Sequence, residues 1–338
     1  MHEPRGADSR TSKHHASDDS ARVIRQASDA LLEGRISDAL EQADRGRRAD
    51  HVDDQGRADL ALIGLLAKLA LGDTRGAAPY SRELSSLVRV RGTVAATACF
   101  GLGEFAAARG LDDQAVSWYE RTGEELRQAR NSTTWLPWRS GLARQLAGRG
   151  DVAGATELIE AELADVRAEG TPYAVAYALR TKAAIAPTNE RIALLDEALD
   201  VLVGTGASRL EAQIRTDQAG WLLLLRPQEH QRAVDLLRGA EKYARQEELT
   251  PLLSRVRWLL ERLGHAPDGE LPGRMAELSA AERRVAALVI TGKRNREIAE
   301  ELGVSVKSVE WHVSHILRKL SISSRSELAD ALAQPRQH

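Results

Sequence analysis

"NREIAEELGVSVKSVEWHVSHILRKL", residues 295–320, decides how the C-terminal part of the chain folds. Asn295 is a capping type of residue and opens NREIAEEL, which stops at Gly303, a residue suited to the left-handed backbone just beyond a helix. Ser305 then caps a longer segment, VKSVEWHVSHILRKL. Along it Val309, Val313, Ile316 and Leu320 recur at helical spacing, whereas Lys307, Glu310, Trp311, Ser314 and Arg318 fall on the opposite side. Two helices joined by a tight turn, the second of them longer, predict a helix-turn-helix whose second helix keeps its polar side outward.

The flanks extend this to a unit of four short helices over residues 276–338. Ser279 with Glu282 forms a capping box for a helix ending near Gly292, and Ser324 with Glu327 caps a last helix, RSELADALA. The whole stretch resembles the LuxR-type (GerE) DNA-binding domain. It matches that pattern at Leu278, Glu282, Gly292, Asn295, Glu297, Ile298, Ala299, Leu302, Ser305, Val309, His312, Lys319, Leu320, Arg325 and Leu328. Arg294 departs from it, standing where the family has a small hydroxyl residue, and Ser308 replaces a threonine.

The resemblance implies that residues 306–320 form a recognition helix lying in the major groove of double-stranded DNA. Glu310, Trp311 and Ser314 would then face base edges, where a carboxylate accepts from cytosine N4 and an apolar group touches a thymine methyl. Lys307, Lys319 and Arg296, together with Arg294 and Arg318, would reach phosphates, and Ser305 and Ser308 complete the expected DNA-contacting set. A merely solvated polar face is the alternative for each charged or hydroxyl residue; for Trp311 it is packing against its own domain. His312 is expected to be a structural or phosphate-touching residue, not a metal ligand. Arg325, Leu328 and Leu332 resemble the family's dimer-forming element, which implies a homodimer reading an inverted repeat.

Upstream, residues 21–263 are a series of Ala/Leu/Arg/Glu-rich segments with apolar residues three and four apart, which predicts helix throughout. Turn signals recur at Gly34, Gly72, Gly110, Gly150, Pro187 and Pro227, a period of roughly 37–40 residues that suits helix pairs. The fifth residue after each of the four glycines is alanine, Ala39, Ala77, Ala115 and Ala155, a small side chain that lets paired helices approach; after the prolines the alanine comes one place later, at Ala193 and Ala233. The pattern resembles tetratricopeptide repeats with a longer period. It implies an all-α, TPR-like solenoid with an extended concave surface for a peptide, a partner protein or a small effector. Trp135, Trp138 and Arg139, in TTWLPWRSG, are a candidate effector pocket, with core packing the alternative for the two tryptophans.

Residues 264–275, GHAPDGELPGRM, carry prolines and glycines and are expected to be a linker; residues 1–20 are polar and expected to be a disordered tail. His14 and His15 point in different directions on a helix and are not expected to hold a metal. The net charge of −2 means that any nucleic-acid affinity must come from a local patch. A single cysteine, Cys99, in an apolar stretch is expected to be a core residue, and no apolar run has the length of a membrane span, so the expected compartment is the cytoplasm, on the nucleoid.

The repeats also resemble part of the large ATP-binding LuxR regulators of actinobacteria, but no Gly-x-x-x-x-Gly-Lys-Ser/Thr occurs, so no ATPase and no cofactor are expected. No paired carboxylates or nucleophile–base arrangement points to an enzyme. The sequence therefore supports a transcription factor with a sensor solenoid. A protein-interaction scaffold whose small helical domain mainly dimerises is the alternative.

Overall fold

The computed structural model describes residues 8–49, 51–131, 135–265, 278, 280–290, 293–302, 304–322 and 324–333. Among them every regular element is helical. The chain divides into two compact units, residues 1–259 and 260–338.

The first unit is a stack of helical hairpins: α1 (Asp8–Glu33) with α2 (Ile36–Arg47), α3 (Asp54–Leu71) with α4 (Thr74–Leu87), α5 (Gly92–Ala108) with α6 (Asp112–Gln128), α7 (Trp138–Gly148) with α8 (Val152–Glu169), α9 (Pro172–Ile185) with α10 (Arg191–Val201), and α11 (Ser208–Leu225) with α12 (His230–Gln246). A final helix, α13 (Thr250–Arg262), follows. Gly34, Gly72, Gly110 and Gly150 take positive φ between the paired helices, as the turn signals predict. Asp53, Asp73 and Asp151 cap the helices that follow them, accepting from the amides of Gly56, Gly76 and Gly154 at 2.7, 2.7 and 2.9 Å.

Ala39, Ala77, Ala115 and Ala155 are fully buried where the paired helices meet, and so is Ala233. Ala193 is exposed; Ile192, at the same five-residue offset as in the earlier repeats, is buried in its place. The offset shifts only after Pro227, where a single 3-10 turn, Pro227–Glu229, inserts before the second helix.

A second packing device is not evident in the repeat spacing. The Tyr80 ring lies on Gly64, Tyr119 lies on both Gly103 and Gly141, and Trp138 lies on Gly123; a Cβ at these glycines would come within 2.2–2.7 Å of the ring. An aromatic ring needs a bare backbone to sit this close to a neighbouring helix, and close packing leaves no slack to absorb a methyl group.

Two expectations are corrected. Residues 1–7 of the expected tail lie outside the described residues, and the rest of the polar opening stretch is helical from Asp8, because residues 8–20 hold no Gly or Pro and extending a helix already anchored from Val23 onward adds no new nucleus. The concave surface is also not open-ended. The Tyr243 hydroxyl donates to the Gly34 carbonyl at 2.6 Å, and the Ile36 amide to the Glu247 carboxylate at 2.9 Å. Ala244 and Leu249 share one core with Ala27, Leu31 and Ile36. The last hairpin therefore packs on the first, and the superhelix closes on itself. Closure buries both terminal apolar edges, which an open array must cover with capping repeats.

Cys99 is fully buried in this unit, and burial pushes its thiol up to about 11, in keeping with a core residue. After α13 the chain leaves the helix at Gly264, φ +76°, whose amide and that of His265 return to Glu261 and Leu260. Most of the expected linker beyond it lies outside the described residues. Among the described residues no helix is long and apolar enough to cross a membrane.

Candidate nucleic-acid interface

The second unit contains α14 (Ala280–Ile290), α15 (Asn295–Leu302), α16 (Val306–Lys319), a 3-10 turn (Arg325–Glu327) and α17 (Leu328–Ala333). Its core gathers Leu278, Val285, Val289, Ile298, Val309, Ile316, Leu320, Leu328 and Leu332 from all of these helices, with Val313 packed at the edge. Val309 and Leu320 are fully buried and Ile316 nearly so, so the aliphatic stripe read from the sequence is the seated face of α16.

Seating that stripe leaves the other side of the helix bare. Lys307, Glu310, Trp311 and Ser314 are exposed, and Lys307, Glu310 and Ser314 make no hydrogen bond or ion pair among the described residues. Trp311 keeps 55% of its surface exposed, too much for a core tryptophan. Its ring stacks on His315 at 3.9 Å between centroids and meets His312 edge-on at 5.0 Å. The Arg318 guanidinium in turn lies 3.1 Å from the His315 ring nitrogen Nδ1. Trp311, His315 and Arg318 thus form one ridge along the helix. His315 is a residue the sequence reading passes over, although its i+4 spacing from Trp311 is the signal that finds it. His312 is half buried, consistent with a structural residue.

The start of α16 is built as expected: the Ser305 hydroxyl accepts from the Ser308 amide at 3.1 Å, and the two hydroxyls lie 2.8 Å apart. Both serines are occupied with each other. At the start of α15 the cap is displaced by one residue. Arg294, not Asn295, holds the capping position; its amide donates to the Glu297 carboxylate at 2.6 Å, and its carbonyl receives the Ile298 amide at 3.0 Å. Only half of a capping box survives, because an arginine side chain has no oxygen to return to the helix. The Arg294 side chain is left exposed, as is Arg296, which is 85% exposed with a loose 3.5 Å pair to Glu300. Gly292, Gly303 and Ser279 lie outside the described residues.

Lys319 and the three dimer candidates all make contacts within their own unit. The Lys319 ammonium lies 2.6 Å from the carboxylate of Glu282, which is only 4% exposed in its side chain. Its first duty is to neutralise a charge at the edge of the core, and a cation so held is poorly placed to reach for a phosphate. Arg325 donates to the Asn295 side chain at 2.9 Å and to the Lys293 carbonyl, clamping the 3-10 turn against the entrance of α15. Leu328 and Leu332 are buried at 1% and 5% exposure. So small a unit needs both leucines to fill its own centre, so their side chains do not form a free dimer surface.

The aromatic segment before α7 is also divided. Trp135 lines one cavity of the first unit, whereas Trp138 and Arg139 line another. Trp138 packs on Gly123, and Arg139 lies 5.1 Å over its ring while pairing with Asp165 at 2.8 Å. The three residues do not form one pocket. Among the described residues no group of three or more potential ligands could hold a metal ion.

Two short consecutive helices, the second seating its aliphatic stripe and baring its polar one, define a helix-turn-helix unit. Residues 276–332 match the family described as bacterial regulatory proteins, luxR family. The chain is similar to the transcriptional regulatory protein LiaR of Bacillus subtilis (strain 168), with 38% identity over 71 residues, 21% of this chain and 33% of that protein. It is similar to the oxygen regulatory protein NreC of Staphylococcus carnosus (strain TM300), with 47% identity over 53 residues, 16% of this chain and 24% of that protein. The matches thus span only about a quarter to a third of the length of these relatives.

Proposed function

We propose that the protein is a sequence-specific, DNA-binding transcriptional regulator of the cytoplasm, not an enzyme, that binds an inverted repeat on the nucleoid as a homodimer. In this reading α16 enters the major groove and the TPR-like repeat unit senses an effector. The observation that carries it is the bare polar face of α16, where Lys307, Glu310, Trp311 and Ser314 stand exposed above a seated aliphatic stripe. The luxR-family match over residues 276–332 supports the same reading.

Sequence would be read by Glu310, Ser314 and the Trp311–His315 ridge, with the carboxylate accepting from cytosine N4. Affinity would come from Lys307, Arg294, Arg296 and Arg318. Four phosphate contacts per subunit give a log–log salt slope of roughly −3.5 per subunit. A gel-shift series of the full chain against genomic fragments at several salt concentrations tests this. Lys307→Ala should weaken every fragment alike and flatten the slope by about one unit, and Glu310→Ala should relax preference at one base position. If both variants match the parent on every fragment and at every salt concentration, the face is not the reader.

A further inference from the structure

Because the superhelix closes, its inner wall lines an open cavity of about 340 Å³, within the range of small-molecule sites. The wall is made by the first helix of successive hairpins, with contributions from α1, α3, α5, α7, α9 and α11. Leu66, Phe100 and Trp135 supply apolar surface; Arg144, Arg180 and Arg209 supply charge.

Two of the three arginines are already satisfied. Arg144 lies 3.1 Å from Glu104 and donates to the Tyr177 hydroxyl at 2.9 Å. Arg180 donates to Asp217 at 2.7 Å and to Gln213 at 3.1 Å, and Asp217 is further held by Arg255 at 2.7 Å. Glu104, for its part, also accepts from the Tyr119 hydroxyl at 2.7 Å. Neither carboxylate of the wall is left over for the third arginine. Arg209 has no hydrogen bond or ion pair among the described residues, and neither has the hydroxyl of Tyr173, its neighbour in the wall. Tyr173 and Arg209 line the same cavity; burial holds the Tyr173 phenol above its ordinary range, and the charge of Arg209 is the largest influence opposing it. A half-buried guanidinium and phenol that line a cavity without a protein acceptor are free to bind an anionic one.

We propose that this cavity binds a small aromatic monocarboxylate, its acid group on Arg209 and Tyr173 and its ring against Phe100, Trp135 and Leu66. A guanidinium matches a carboxylate with two parallel hydrogen bonds, and the phenol adds a third donor. Binding itself is independent of the DNA-binding reading; only the role of the acid as the regulator's signal rests on that reading.

The test is ligand-detected NMR and calorimetry on the full chain with benzoate, phenylacetate and indole-3-acetate, each beside its amide. At least one acid should saturate a single site and bind about ten-fold or more tightly than its amide, since the amide offers no charge to the arginine. Arg209→Gln, shown to be folded by an unchanged melting curve without ligand, should erase that preference, and Arg209→Lys should restore part of it. Tyr173→Phe should weaken the acid by a few-fold. Arg127→Gln, on the neighbouring cavity, should change nothing.

Absence of binding by all three acids, equal binding of acid and amide, or a preference that survives Arg209→Gln each overturns the proposal. So does a peptide with a free C-terminal carboxylate that outcompetes every acid, which would make the site a reader of chain ends. A gel shift on the same samples separates the two readings. Acid binding by a chain that ignores DNA removes only the signalling role, whereas DNA binding by a chain that ignores the acids removes only the cavity site.

Discussion

In the repeat unit, buried alanines at a fixed offset and rings laid on glycines let the helices approach closely, and the cores run continuously from one hairpin to the next. In the C-terminal unit the same task falls to one cluster of leucines, isoleucines and valines drawn from every helix. The contrast sets where each unit can work. The repeat unit closes on itself and lines a cavity with polar and apolar groups from successive hairpins; the C-terminal unit is too small to cover α16 and leaves its polar side outward. One face suits a ligand that can be enclosed, the other a surface too long to enclose.

Matched truncations give the largest effect. Leu320→Ala and Leu195→Ala remove the same atoms from fully buried sites, a loss of about 2.7–5 kcal/mol each. For the C-terminal unit that loss is comparable with the whole stability of so small a core. Leu320→Ala should therefore abolish DNA retardation and amide protection there while the repeat unit stays folded. Leu195→Ala should keep the fold and lower the Tm of the repeat unit by roughly 5–15 °C. A single transition that moves equally in both variants would mean that the two units unfold as one block.

A smaller effect separates structural from DNA-contacting cations. Lys319→Met removes the ammonium 2.6 Å from Glu282 and should cost the C-terminal unit about 1–3 kcal/mol in chemical denaturation, with the salt slope of DNA binding unchanged. The opposite result, an unaltered denaturation midpoint with a slope reduced by one, would return Lys319 to the phosphates.

The smallest expected change is a gain. Arg294→Thr puts back a side-chain oxygen at the capping position of α15, where Glu297 already supplies the other half of the box. It should stabilise the C-terminal unit by about 0.5–1 kcal/mol and flatten the salt slope by about one unit. A variant that gains neither stability nor a flatter slope would deny Arg294 both roles.

Periodicity alone carried the helical class, the hairpin turns and the two faces of α16, because each depends on neighbours a few residues apart: glycine at a helix end, alanine at a crossing, valine and isoleucine at three and four. Contacts with distant partners were not legible: the sequence does not place Glu282 beside Lys319, nor the core around Leu328 and Leu332. Arg294 differs again: its capping position is a local property, but the half-box left behind appears only once Glu297 is placed.

The sequence by itself determined that this chain is a run of helix pairs followed by a helix-turn-helix, since backbone preference and local spacing decide both. Only the tertiary structure decided that the last repeat meets the first, that Arg144 and Arg180 find carboxylates while Arg209 does not, and that three neighbouring aromatic-segment residues serve two different cavities. The physical reason is that closure and charge pairing join residues as far apart as Gly34 and Tyr243, and no short-range periodicity encodes how the small rotations between successive hairpins add up.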